Sequence, residues 1–431
     1  MNAQTLRENI LSGALDMRLA KLYGSDESTL AAQRARYAAL IDEFASLYGA
    51  DRDISLFSVP GRSELSGNHT DHNHGCVIAG SIDLDIIAVA AKNEDSTVRI
   101  KSEGFPEDVV DINTFNTPNE ARFGKSDALI AGVADGFRTR GLSVGGYDAC
   151  TTSSVLKGSG LSSSAAFENM VGLMLSHFYN DGGVDFVTIA QISQYSENKF
   201  FGKPCGLMDQ VACAAGGIVS IDFADTSAPI VEKVDFDMTG AGYCLCIVNT
   251  GGNHADLTPD YAAVPAEMKA VAAELGVSVL RESSREELMK NIAALREKVG
   301  DRAILRALHF YAENERVAEQ KSALKSGNLA KYFEGVLSSG RSSFCYLQNV
   351  YTTANVSEQG ISLALNLCES YLSKLDVPTA WRVHGGGFAG TVQAYVPTKD
   401  AEGFVALLES VFGKGSCYLL HVRPSGAVKV F

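Results

Sequence analysis

A two-domain α+β protein is what this sequence predicts, on three observations. The chain has 431 residues and 46% hydrophobic content, enough for a large core and, at roughly 100–200 residues per domain, for two domains. Strand-like and helix-like segments alternate without a strict βαβ rhythm, which favours α+β over a doubly wound sheet. A small-residue stretch, ADTSAP at 224–229, separates two strand candidates and marks the expected domain break, giving units 1–224 and 225–431.

Each element follows from periodicity. The first fifty residues read as helical: Leu30, Tyr37, Leu40, Ile41, Phe44, Leu47 and Tyr48 keep helical spacing, with Ser28 as cap and Gly49 as stop. Strand candidates follow at 56–59, 85–91, 97–100 and 147–152. Helices are expected at about 163–179 and 186–198, then two apolar strands, GGIVSIDF and YCLCIVN. From Pro259 to about Leu337 the pattern is mostly helical, and a further helix is expected at 357–373. The tail reads strand (TAWRV), glycine-rich turn, strand (TVQAYV), helix (DAEGFVALLESVF), strand (CYLLHV).

Charge and composition exclude several classes. Acidic residues outnumber basic ones by 51 to 37, a formal charge of −14, which argues against nucleic acid or an anionic membrane as partner. Backbone amides can still hold phosphate without net charge. The nine cysteines are unpatterned and read as reduced thiols of a cytoplasmic protein. The start lacks a basic and then apolar leader, and no 18-residue apolar run exists. A monomer is expected.

Four stretches carry chemistry. LKGSGLSSSAAFE (156–168) sets glycines and serines ahead of a helix; such a start offers free N–H groups to phosphate and hydroxyls to phosphate or Mg²⁺. A Gly/Ser turn with a helix cap is the plainer reading, and no GK[ST] follows to make a P-loop. HGGGFAG (384–390) is a second glycine-rich turn, between two strands. PCGLMDQ places Asp209 in apolar surroundings, where a carboxylate needs a partner or a task; Arg62 is the cationic candidate, and Glu197 near a helix end suits a metal ligand. PGRSELSGNHTDHNHG (60–75) gathers His69, Asp71, His72 and His74; on residues alone a metal cage and a polar-ligand pocket are equally supported.

Taken in order, these stretches resemble the motifs of the GHMP small-molecule kinases, and more narrowly the galactokinase family, whose patterns read approximately GRxNLIGEHTDYNxG, GxGLSSSA and GGGFGG. SENKFFGKPCGLMDQ and RALHFYAENERV resemble further family segments, and coverage runs from about Val59 to Val396. The resemblance implies a GHMP kinase fold, with the active-site cleft between an N-terminal α+β domain and a ferredoxin-like C-terminal domain; residues 1–50 form an extra helical region. It implies phosphorylation of the C1 hydroxyl of galactose by ATP, with Mg²⁺. Asp209 and Arg62 would be catalytic. Gly158, Ser159, Gly160, Leu161, Ser162, Ser163 and Ser164 would wrap the ATP phosphates, and Ser164 with Glu197 would hold Mg²⁺. Asn68, His69, Asp71, Gly206 and Tyr261 would line the sugar site, with Gly385 to Gly387 supporting it. The opening motif thus becomes a sugar pocket, not a metal cage.

The first motif also departs from its pattern. Asn68 stands where the family has a glutamate that contacts the C6 hydroxyl, His72 replaces a tyrosine, and Ser63, Glu64 and Ser66 are unusual. An amide donates as well as accepts and does not repel an anion. A C6-carboxylate sugar such as galacturonate is therefore an alternative substrate, and a non-catalytic sugar and ATP sensor is an alternative of another class.

Overall fold

The computed structural model describes residues 1–155, 160–251 and 257–431. The chain opens with three helices, α1 (Ala3–Leu11), α2 (Asp16–Tyr23) and α3 (Glu27–Tyr48). Gly49 ends α3, but its cap is Asp26, whose carboxylate accepts from Thr29 N at 2.9 Å; Ser28 only donates to that carboxylate. Four strands follow, β1 (Ser55–Ser66), β2 (Cys76–Lys92), β3 (Thr97–Ser102) and β4 (Glu107–Asp111). Next come α4 (Ser126–Thr139), β5 (Tyr147–Ser153), α5 (Ser163–Tyr179), α6 (Phe186–Ser196), α7 (Met208–Ala215), β6 (Ile218–Asp222) and β7 (Ile230–Val234).

The second half holds β8 (Tyr243–Asn249), α8 (Thr258–Glu274), α9 (Arg285–Lys290), α10 (Ile292–Val299), α11 (Asp301–Lys325), α12 (Leu329–Ser342) and α13 (Gly360–Leu372). It closes with β9 (Ala380–His384), β10 (Thr391–Pro397), α14 (Ala401–Phe412), β11 (Cys417–Leu420) and β12 (Val428–Lys429). Among the described residues no helix is long and apolar enough to cross a membrane.

The first sheet has eight strands, in the order β12-β1-β2-β5-β3-β4, with β6 on the other half of β2 and β7 beyond it. Residues 224–229 are the turn of the antiparallel β6–β7 hairpin, so the expected linker lies inside this sheet. Small polar residues mark a tight turn as readily as a domain break, and only the pairing separates the two. The second sheet runs β11-β8-β10-β9, all antiparallel. With helices between its first two and last two strands, this is the ferredoxin-like arrangement.

Both faces of the first sheet are covered because its strands are apolar on both sides. Phe57, Ala88 and Ala90 face the core shared with α4 and α5. Leu56, Ile87 and Val89 face α1, α2 and α3. The period-two alternation thus feeds two cores from one strand. The extra N-terminal helices are the third layer of this domain.

Two register shifts in the β1–β2 pairing, at Pro60/Arg62 and Glu64/Ser66, bend the strand where the first motif lies. Bulges re-aim side chains at functional edges. Arg62 therefore sits on a strand that runs seven residues beyond the candidate at 56–59.

Candidate active site

Arg62 and Asp209 form a two-pronged ion pair. Nε donates to Oδ1 at 2.8 Å, and Nη2 lies 2.7 Å from Oδ2. Arg62 comes from the bulged strand and Asp209 from the first turn of α7. Ser162 Oγ donates to Asp209 Oδ2, and Arg62 Nη1 to the Gly160 carbonyl at 2.6 Å. Burial pushes the Asp209 carboxyl up, but the Arg62 charge and the Ser162 and Arg62 hydrogen bonds outweigh it and hold the group below its ordinary value. Asp209 is an ionised acceptor at neutral pH.

The glycine–serine stretch brings the start of α5 to this pair. Gly158 and Ser159 lie outside the described residues. Gly160 and Ser162 both have positive φ, 72° and 63°, and Leu161 is buried with its carbonyl accepting from Arg62 N at 3.2 Å. Gly61 allows that approach, since a Cβ there would lie 2.7 Å from the Leu161 oxygen. Ser163 opens α5, whose first amides have no helical partner and suit phosphate oxygens.

In the same first turn, Ser164 Oγ lies 3.3 Å from Glu197 Oε1. Glu197 also receives Lys203 Nζ at 3.0 Å and Gln210 Nε2 at 2.9 Å. Glu168 stands beside it, fully buried, its carboxyl pushed well up by burial and then by the Glu197 charge. Ser164 and Glu197 are a hydroxyl and a carboxylate in contact; Mg²⁺ accepts such a partial set when phosphates and water complete its shell. Among the described residues no three His, Cys, Asp or Glu side chains converge to hold a metal. Sequence reading did not single out Glu168, Lys203 or Gln210. An acid one turn after Ser164 on an apolar helix was the available signal for Glu168.

The histidine-rich motif diverges instead of forming a cage. His69 (φ 59°) gives Nε2 to the Gly386 carbonyl at 2.9 Å, while Asp71 presses against Gly206, where a Cβ would meet Oδ2 at 1.9 Å. Asp71, His72, His74 and Gly206 border a polar cavity of about 400 Å³ with Gln194, Asn198 and Lys269. Tyr261 donates its hydroxyl to the Gly387 carbonyl at 2.9 Å. Asn68 is fully buried. Its Nδ2 donates to Glu64 Oε1 (3.1 Å) and the Gly385 carbonyl (2.7 Å); its Oδ1 accepts from Asn349 (2.9 Å) and Ser343 (3.3 Å). Where the first motif led us to expect a sugar-facing side chain, Asn68 spends its whole hydrogen-bonding capacity on protein.

Helix α11 is the scaffold behind this motif. Glu313 Oε1 accepts from the amides of Gly67 and Asn68, each at 3.3 Å, and His309 Nε2 donates to the Asn68 carbonyl at 3.0 Å. The glycine hairpin closes the other side. A Cβ on Gly386 would lie 2.0 Å from the Tyr261 ring, and one on Gly387 would lie 1.9 Å from the Asn349 carbonyl.

A phosphate-ready helix start, a carboxylate held ionised by arginine and a ferredoxin-like second sheet define a small-molecule kinase of GHMP type. Residues 42–92 match the galactokinase galactose-binding signature, and residues 128–217 match the GHMP kinases N terminal domain. The chain is 30% identical to a galactokinase of Glaesserella parasuis, covering 86% of this chain and 92% of that one. It is 28% identical to a Lactococcus lactis galactokinase, covering 91% and 96%. The crystal structure of Lactococcus lactis galactokinase complexed with galactose superposes with a TM-score of 0.77 at 25% identity, covering 92% of this chain and all of that one. The Methanococcus jannaschii mevalonate kinase shares the fold (TM-score 0.60, 13% identity). The chain belongs to the galactokinase family.

Proposed function

We propose that this chain transfers the terminal phosphoryl group of ATP to the anomeric C1 hydroxyl of a galactose-configured sugar. The observation that carries this reading is the Arg62–Asp209 fork, set against Ser162 at the start of α5. Phosphoryl transfer asks mainly for alignment and charge neutralisation. Asp209 accepts the hydrogen bond of the reacting hydroxyl and points its oxygen at phosphorus. Arg62 keeps Asp209 ionised and offsets charge on the transferring group. The N-terminal amides of α5, with Gly160 and the serines through Ser164, hold the ATP phosphates. Ser164 and Glu197 would hold Mg²⁺, which when bound neutralises phosphate charge. Asp71, His69, Gly206 and Tyr261 would border the sugar.

The test is ATP consumption with Mg²⁺ across galactose, N-acetylgalactosamine, glucose, arabinose, galacturonate and glucuronate, with Asp209→Ala as blank. Turnover of a galactose-configured sugar that vanishes in the blank supports the reading. Binding of sugar or ATP with no turnover of any sugar replaces it with a sensor.

A further inference from the structure

A lysine shares one carboxylate oxygen with the start of α5, and the backbone is shaped to put it there. Helix α6 passes into a π-helical turn, Glu197–Phe201, and Gly202 follows with φ 77°. Such insertions gather at functional sites. Lys203 N closes the turn by donating to the Glu197 carbonyl at 3.1 Å. A Cβ on Gly202 would lie 2.2 Å from the Phe123 ring, so this reversal asks for glycine. It lays the Lys203 side chain back over Glu197, with Nζ 3.0 Å from Oε1. Ser164 Oγ donates to that same oxygen at 3.3 Å. The ammonium and the first turn of α5 therefore meet at one atom.

An ion pair that merely stabilises the fold is the plainer reading, and it fits poorly. The Lys203 side chain is 62% exposed, and exposed lysines add little to stability. Glu197 is already held by Gln210 and Ser164. An ammonium has three N–H donors; Glu197 takes one, and the others have no partner among the described residues. Arg62 is more committed, with two nitrogens on Asp209 and the third on the Gly160 carbonyl. The Lys203 charge also reaches Asp209 and adds to the effects that hold its carboxyl below the ordinary value. A cation with free donors, beside helix-start amides, is suited to phosphate oxygens. Resting on the phosphoryl-transfer reading above, we propose that Lys203 is a further catalytic residue, whose ammonium binds the ATP phosphates at the start of α5 and offsets charge on the transferring group.

The experiment uses the full chain as wild type, Lys203→Met and Lys203→Arg. Calorimetry measures ATP binding in EDTA and again with Mg²⁺, and kinetics with Mg²⁺ give KM for ATP and for the sugar. Lys203→Met should weaken ATP binding in EDTA by about 10–100-fold, the worth of one charged hydrogen bond. It should raise KM for ATP and leave KM for the sugar in place. Lys203→Arg keeps the charge and should recover most of the loss. Because the side chain is exposed, both variants should melt with the wild type. ATP binding unmoved by Lys203→Met overturns the proposal. So does a loss that falls equally on ATP and sugar, which is the mark of a structural role. If the wild type phosphorylates no sugar but Lys203→Met still weakens ATP binding, the kinase reading falls and the phosphate contact stands.

Discussion

Asp209 and Arg62 show how one residue sets the working state of another. Burial alone would raise the Asp209 carboxyl; the guanidinium and the Ser162 hydroxyl reverse the direction. Asp209→Asn should lower kcat by about 10²–10⁴-fold, the range of a lost proton acceptor, with sugar binding nearly unchanged in calorimetry. In the wild type Asp209 stays charged as pH falls through the ordinary carboxylate range, so the acid limb of the rate profile lies below that range. Arg62→Met leaves burial opposed only by the Ser162 hydrogen bond and the Lys203 charge, and the same limb should move to higher pH while the maximum falls. A limb at the same pH in both proteins would remove Arg62 from this role.

Two elements carry more than their sequence advertises. The glycine hairpin between β9 and β10 is braced by Asn68, His69, Tyr261 and Asn349. Gly387 has φ 82° and a neighbouring carbonyl where a Cβ would fall. Gly387→Ala should therefore cost activity more than stability, because the displaced hairpin drags His69 and Tyr261 with it. Paired kinetics and melting would detect this. The N-terminal layer is fastened by Asp85 of β2, which lies 2.6 Å from Arg36 of α3 and 2.9 Å from Arg423 near the C-terminus. Asp85→Ala leaves the buried Arg423 and the part-buried Arg36 short of a partner, at a cost of about 3–5 kcal/mol. Denaturant melts would measure that cost, and hydrogen exchange should show α1 to α3 opening first.

At the scale of the whole molecule, buried polar chemistry joins the two sheets and makes stability depend on acid. Burial lowers the ring pKa of His309 and His384 and brings His69 down to about 4. These rings stay neutral in the fold and take protons in the unfolded chain, so stability is lost as pH falls below the ordinary 6.5. Glu313 works at lower pH: burial raises it, Arg316 and its hydrogen bonds outweigh that, and it settles at about 2. Its contribution is complete above 4.5 and disappears as pH falls towards 2. The melting temperature should decline in two ranges, below 6.5 and again below 4.5. Glu313→Gln should flatten the second range only.

Much of this protein was legible in its residues. The helix at 163–179 and the strand YCLCIVN lie where periodicity put them, because apolar spacing is a local property that tertiary packing then uses. Arg62 is a cationic candidate for Asp209 on the residues alone, but the pairing of Ser164 with Glu197 was legible only through resemblance to family motifs, since residues far apart in sequence carry no mark of meeting. Helix α4 and strands β4 and β7 went unread, and the β6–β7 turn passed for a linker. Local composition cannot say whether two strands pair with each other or with something else. The tertiary structure alone decided where Asn68 points. Its direction is set by Glu64 of the same motif and by Gly385, Ser343 and Asn349 from two distant segments, and a side chain follows the partners that saturate it. The sequence by itself determined the elements, the motifs and the charge at each position; the fold determined which charges cancel, and so which of them a substrate can meet.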